Sequence, residues 1–414
     1  MKSVTELGKA AKEASRFLAT ASAEEKNKAL LSIASALEEN CDKILKSNAT
    51  DMENARLSGI NPTMLDRLLL TGERIKGMAD GVREVAALPD PVGRILDEVT
   101  RPNGLEITKV SVPIGVIAVI FEARPNVTSD AASLCLKAGN CVILRGGKEA
   151  IHSNTAIADI MRDALNKVGF PADCINFVED VSRQSATELM TLNEYVDVLI
   201  PRGGAGLIQA CVKNATVPVI ETGTGNCHIY IDKSANLDMA KEIVFNAKTS
   251  RPSVCNAAES LLIHKDIAEK ALPIIKAKLD EKDVTLHGDE ESMKICPDII
   301  PATEEDWGKE YLSFDMSVKI VNDTDEAIDR IYKYGTKHSE SIITEDENEA
   351  QKFLNKVDAA AVYHNASTRF TDGGVFGLGA EIGISTQKLH ARGPLGLNEL
   401  TSMKFVVRGN GQIR

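Results

Sequence analysis

No cysteine in this chain is followed by another three positions on, so the C-x-x-C patterns of redox centres and zinc ribbons are both missing. The thiols Cys41, Cys135, Cys141, Cys174, Cys211, Cys227, Cys255 and Cys296 are scattered, which excludes a disulfide framework and fits a reducing cytoplasm. Most should be inert packing residues; Cys135 and Cys141, in ASLCLKAGNCVILR, fall within a helix and a strand. Also missing is any block of Lys and Arg. With a net charge of -12 the chain has no basic footprint for nucleic acid or an anionic membrane. No stretch approaches the roughly 18 apolar residues of a membrane span. The N-terminal segment MKSVTELGKAAKEASRFL alternates charge and alanine at helical spacing and has no apolar signal core, so a cytoplasmic location is expected. No internal repeat or low-complexity linker breaks the chain.

What is present describes a folded protein. Hydrophobic residues make up 43% and charged residues 26%, ordinary globular values. At 414 residues the chain exceeds the roughly 250 to 300 at which one core stops growing, so two domains are expected.

From Lys109 to Val219 short β-rich runs alternate with helical stretches: VPIGVIAVIF, SDAASLCLKAG, CVILR, NTAIADIMRDALNKVG, CINFV, ATELMTLN, VDVLIP, GLIQACVKN and VPVIE. That order predicts a parallel α/β sheet. Turn residues follow four of the strands: Glu122 to Asn126, Gly146-Gly147-Lys148, Arg202-Gly203-Gly204 and Gly223-Thr224-Gly225. Ligands of such sheets bind at the carboxyl ends of the strands. The pattern then restarts with MAKEIVFNAKTSRPSVCNAAESLLIH and runs through SVKIV, SESIITED and AAVYH, a second α/β domain. Residues 105–112 and the tail MKFVVRGNGQIR look extended and stand apart, as segments able to pair.

Cys255, in RPSVCNAAESLLIH, lies just outside an apolar run and between small and polar neighbours. A packing cysteine belongs inside such a run, so the position suits a nucleophile held on a rigid strand. Arg145 and Lys148 flank Gly146 and Gly147, which allow close backbone approach to a phosphate, or simply make a solvated turn. Arg202 precedes Gly203 and Gly204 at a helix start that can host an anion, although the full G-x-G-x-x-G pattern is absent. Glu221 at a strand end is either a general base or a turn cap.

The order PIGVIAVIFEARPN, VILRGGK, VLIPRGGAG, ETGTGN, SVCNAAES and KEYLSF resembles the aldehyde dehydrogenase superfamily. Within it, IFEARPNVTSDAASLCLKAGN, YGTKHSESI and LHARGPLGLNELTS are similar to the family of gamma-glutamyl phosphate reductases. One departure is Arg330, where that family's pattern usually has histidine. The resemblance implies an α/β fold with a Rossmann-like cofactor domain (1–104 and 113–228, with part of 366–397 returning), a catalytic domain (229–365) and a small β oligomerisation arm (105–112 and 398–414). It implies an NADPH-dependent reduction of L-glutamyl 5-phosphate to glutamate 5-semialdehyde, the second step of proline biosynthesis from glutamate, through a thioester on Cys255.

Other roles follow from the same resemblance. Asn126 and backbone N–H groups near Cys255 stabilise the oxyanion, with an Asx-turn as the plain alternative for Asn126. Glu221 belongs to the site with its role open, and Glu310 holds the nicotinamide ribose or is a surface charge. Arg124, Arg251, His338 and Arg392 supply cations for the substrate's phosphate and carboxylate, without an assignment of each to its anion. The implied cofactor is NADPH/NADP, and no metal is implied. The implied partners are glutamyl 5-phosphate, a glutamate 5-kinase that supplies it, and further copies of this chain.

Overall fold

The computed structural model describes residues 2–60 and 62–414. The chain forms two compact units: Met1–Thr222 with Gly377–Gly383 and Leu395–Arg414, and Gly223–Phe376 with Ile384–Pro394.

The first unit opens with helices α1 (Val4–Leu18), α2 (Ala23–Glu39), α3 (Cys41–Leu57), α4 (Pro62–Leu68) and α5 (Gly72–Ala87). Ser3 with Glu6 and Ser22 with Glu25 form capping boxes that satisfy the first amides of α1 and α2. Strands β1 (Ile95–Thr100) and β2 (Glu106–Pro113) and the C-terminal strand Thr401–Arg408 make an antiparallel sheet with β2 in the middle. The run VPIGVIAVIF, expected as one strand, is divided between β2 and β3 (Val116–Phe121). Gly115 between them has φ +131°, a conformation that an L side chain rarely adopts.

β3, β4 (Cys141–Arg145), β5 (Ile175–Phe177) and β6 (Val198–Arg202) form a parallel sheet in the order β5-β4-β3-β6. β3 is buried at every position, as a sheet covered on both faces demands. Helices α6 (Asn126–Lys137), α7 (Ile151–Lys167), α8 (Arg183–Met190) and α9 (Ala205–Asn214) alternate with these strands. The expected last strand, VPVIE, is reduced to a single bridge between Leu199 and Val219.

The second unit holds a parallel sheet of β7 (Cys227–Ile231), β8 (Ala258–His264), β9 (Thr285–Gly288), β10 (Ile300–Pro301), β11 (Asp315–Val321), β12 (Ser339–Ile343) and β13 (Ala361–His364), in the order β10-β9-β11-β8-β7-β12-β13. Helices α10 (Leu237–Thr249), α11 (Lys265–Asp280), α12 (Glu290–Ile295), α13 (Thr324–Tyr334) and α14 (Glu347–Lys356) run between the strands. Ile229, Ile263, Leu272, Ile275 and Val318 centre one core, and Tyr230, Ile342 and Phe353 another. Among the described residues, no helix is long and apolar enough to cross a membrane.

Candidate active site

In the first unit the loops leaving the carboxyl ends of β3, β4 and β6 are bonded to one another. The Glu149 carboxylate accepts the Ala123 N–H at 2.7 Å, and the Glu122 carboxylate accepts the Gly204 N–H at 2.9 Å. The helix start at Gly203-Gly204, which the sequence offers to an anion, is thus met by an internal carboxylate. Arg145 donates from Nη2 to the Val181 and Ser182 carbonyls at 3.0 and 3.1 Å. Its Nε is buried with no hydrogen-bond partner among the described residues, and burial holds its pKa below the usual arginine value. Lys148 is exposed at the start of a 3₁₀ turn, and Arg202 is half-buried at the end of β6. A Cβ on Gly146 would come within 2.2 Å of the Asn154 amide nitrogen, so the backbone there stays bare. Bare turns lined by Arg145, Lys148 and Arg202 fit the phosphates of a dinucleotide cofactor.

Arg124 is half-buried in the turn between β3 and α6. Asn126 is the first residue of α6, and its amide nitrogen donates to Asp130 Oδ2 at 2.7 Å, which commits one of its two N–H groups. Desolvation pushes the Asp130 carboxyl up to about 6, against the lowering effect of the Asn126 and Ser129 bonds and the Arg202 charge. Glu221 is half-buried just after the Leu199–Val219 bridge.

In the second unit Cys255 is half-buried in a turn, three residues before β8 begins rather than on the strand itself. The turn is closed by the Ala257 N–H donating to the Val254 carbonyl at 3.0 Å. Cys255 therefore lies at the amino end of its strand, not at the carboxyl end where ligands of parallel sheets usually bind.

Two chains of contacts hold the turn. On one side a Cβ on Gly225 would fall 1.5 Å from the Cys255 carbonyl oxygen, so only glycine lets these backbones meet. The Gly225 N–H in turn donates to Glu310 Oε1 at 2.7 Å. On the other side Cys227 Sγ donates to the Cys255 carbonyl at 3.1 Å and lies 3.8 Å from His338 Nδ1. Burial pushes the Cys227 thiol well above its ordinary pKa, so it serves as a neutral donor. His338 is fully buried, with Nδ1 at 2.9 Å from the Ser339 hydroxyl.

Of the remaining expected cations, Arg251 is exposed four residues before the thiol. Arg392 pairs with Asp358 at 2.8 Å, while its Nε and Nη2 are buried without a partner among the described residues. Arg330, where histidine was expected, lies with its guanidinium 4.8 Å from both the Trp307 and Tyr334 ring centres.

Besides Cys227, sequence reasoning missed three more residues here. Lys248 on α10 and Glu259 on β8 form a fully buried ion pair at 2.6 Å, and Glu259 also accepts the Leu312 N–H at 3.1 Å. Burial pushes Glu259 up to about 7 and Lys248 down. The third, Arg369, donates from Nε to Ser250 Oγ at 3.0 Å and from Nη1 to Asn256 Oδ1, on either side of Cys255 in sequence. Its only sequence signal is a cation in the polar run STRFTDGG, far along the chain from the thiol.

The chain matches the aldehyde dehydrogenase family over residues 1–310. It is 60% identical over 407 residues, 98% of each chain, to the gamma-glutamyl phosphate reductase of Clostridium perfringens (strain SM101 / Type A). It is 58% identical over 414 residues, the whole of both chains, to the gamma-glutamyl phosphate reductase of Clostridium botulinum (strain Eklund 17B / Type B). Its fold superposes with a TM-score of 0.98, at 49% identity and with both chains fully covered, on the crystal structure of gamma-glutamyl phosphate reductase from Thermotoga maritima.

Proposed function

The chain belongs to the aldehyde dehydrogenase family, and from that premise, with relatives named gamma-glutamyl phosphate reductase, we propose that it reduces L-glutamyl 5-phosphate to glutamate 5-semialdehyde in proline biosynthesis. The observation that carries the reading is the Cys255 turn: a half-buried thiol whose carbonyl is fixed by Cys227 and whose backbone is packed on Gly225. A nucleophile needs that kind of fixed backbone and a side chain that is not fully buried.

In this mechanism the Cys255 thiolate attacks the acyl carbon and phosphate departs, leaving a thioester. A bound nicotinamide cofactor, which we take to be NADPH, supplies the hydride that reduces it. The Cys255 thiolate is then released as the aldehyde forms. Backbone N–H groups of the turn and the Asn126 side chain are assigned to the developing oxyanion, the latter on the strength of the family resemblance. Arg145, Gly146, Gly147, Lys148 and Arg202 are assigned to the cofactor's phosphates and adenosine ribose, and Glu310 to its nicotinamide ribose; Gly203 and Gly204 border this turn, with the Gly204 N–H already given to Glu122.

Arg124, Arg251 and Arg392 are assigned to the substrate's anionic ends. The buried N–H groups of Arg392 support its place in this set, because an unpaired buried donor is costly and an anion relieves it. His338 is assigned a supporting role through Cys227. Glu221 stays with the site, but not as a base for water, since hydrolysis would discard the activated acyl group. A cytoplasmic glutamate 5-kinase would supply the labile acyl phosphate, and further copies of this chain would meet the arm of β1, β2 and the C-terminal strand.

The test is consumption of NADPH by the full chain when glutamate, ATP and a glutamate 5-kinase generate the acyl phosphate in place. Wild type should turn over, and Cys255→Ala should fold, bind NADPH and show no turnover. Substantial activity in Cys255→Ala would remove the thioester from the mechanism.

A further inference from the structure

We propose that Arg369, together with Arg251, receives the phosphate of the acyl phosphate beside Cys255. This assignment rests on the reading of the reaction given above.

Arg369 sits on the 3₁₀ turn Thr368–Phe370, and that turn is bolted to the residue after the nucleophile. Thr368 Oγ1 donates to the Asn256 carbonyl at 2.7 Å, and Asn256 Nδ2 donates to the Thr371 carbonyl at 2.9 Å. The guanidinium then binds Asn256 Oδ1 and Ser250 Oγ, so it is anchored to both flanks of the segment that carries Arg251 and Cys255. These anchors fix the direction of the guanidinium without neutralising it, because both acceptors are uncharged.

Among the described residues neither Arg369 nor Arg251 has an ion-pair partner within 4.0 Å, in a chain whose net charge is -12. The two cations are near enough that, after burial, the Arg251 charge is the next largest influence depressing the Arg369 pKa. Asp372 acts in the opposite direction. Placing two guanidiniums together beside a thiol is unfavourable unless an anion lies between or against them. The reaction supplies a doubly charged one. As the S–C bond forms and the C–O bond to phosphate breaks, the electron pair passes to the phosphate oxygen. Planar forks of N–H donors match that oxygen set better than an ammonium does.

The assignment is tested in the reverse direction, with glutamate semialdehyde, NADP and varied inorganic phosphate. Arg369→Ala should raise the KM for phosphate about tenfold to a hundredfold and leave the KM for semialdehyde nearly unchanged. Arg369→Lys should lie in between, since charge is kept and the fork is lost. Arg251→Ala removes an exposed side chain with no hydrogen bond or ion pair among the described residues, so it carries the test alongside Arg369→Lys if Arg369→Ala fails to fold; its phosphate KM should rise as well. A wild type that needs phosphate, paired with variants of unchanged phosphate KM, overturns this assignment alone. A wild type that turns over equally fast without phosphate overturns the reaction itself, and this assignment with it.

Discussion

A lysine ammonium cannot accept hydrogen bonds from ribose hydroxyls, but it can pair with a 2'-phosphate, and Lys148 stands exposed at the edge of the proposed cofactor turn. Changing Lys148→Glu should raise the KM for NADPH by about tenfold to a hundredfold, while that for NADH changes little. Steady-state kinetics with both cofactors checks this, and an unchanged preference would place the 2'-phosphate elsewhere. Asp130 gives a second residue-scale outcome. Its carboxyl titrates at about 6 in the fold against 3.8 when free. Between those values the folded chain keeps a proton that the unfolded chain releases, so this group's stabilisation is full below 3.8 and is lost as pH rises through 6. Asp130→Asn should therefore raise stability at pH 8, by at most about 3 kcal/mol, and do little at pH 4. Urea titrations at both values would show it, and an equal effect at the two pH values would contradict it. Cys255 stood out in the sequence because it lies just outside an apolar run, whereas Arg251 was named only through the family resemblance. Cys227 and Arg369 did not stand out, because their meaning lies in contacts with the Cys255 turn made across long stretches of chain.

Among the elements, α10 and β8 flank the Cys255 turn, and Lys248 to Glu259 joins them with both side chains fully buried. Removing one partner leaves the other charge stranded, so Lys248→Met should cost about 3–5 kcal/mol in urea unfolding. Lys248→Met combined with Glu259→Leu should recover most of that loss, because an apolar pair of similar volume has no charge to desolvate. A double variant no more stable than the single would contradict the pairing argument. Alternation of apolar strands and amphipathic helices made most of these elements readable. It misjudged VPVIE, whose composition suits a strand but which finds a single bridge among the described residues. It also placed the thiol on a strand, whereas the chain turns at Cys255 and pairs from Ala258 onward. β1 was missed altogether, since its residues are exposed and ILDEVT carries acidic side chains among its apolar ones.

At the scale of the whole molecule, Val99, Ile107 and Val407 form one cross-strand row on the antiparallel sheet, and Met403 and Phe405 share that face. Phe405 is 61% exposed and Val407 54%, an apolar surface that we read as the contact for another copy of the chain. Phe405→Glu should shift sedimentation toward smaller species, and an unchanged distribution would remove the arm from assembly. The pairing of the two extended segments was readable from sequence as two runs without helical partners; what lies against their outer face was not, because among the described residues these strands pair with each other alone.

The central claim, an acyl enzyme on Cys255 opened by phosphate, is tested most directly by mixing the full chain with glutamate semialdehyde and NADP in phosphate-free buffer. The account predicts a rapid burst of about one NADPH per active chain, then near arrest, then steady turnover on adding inorganic phosphate, with no burst in Cys255→Ala. Steady turnover at the same rate without phosphate, or a burst that survives Cys255→Ala, would contradict it.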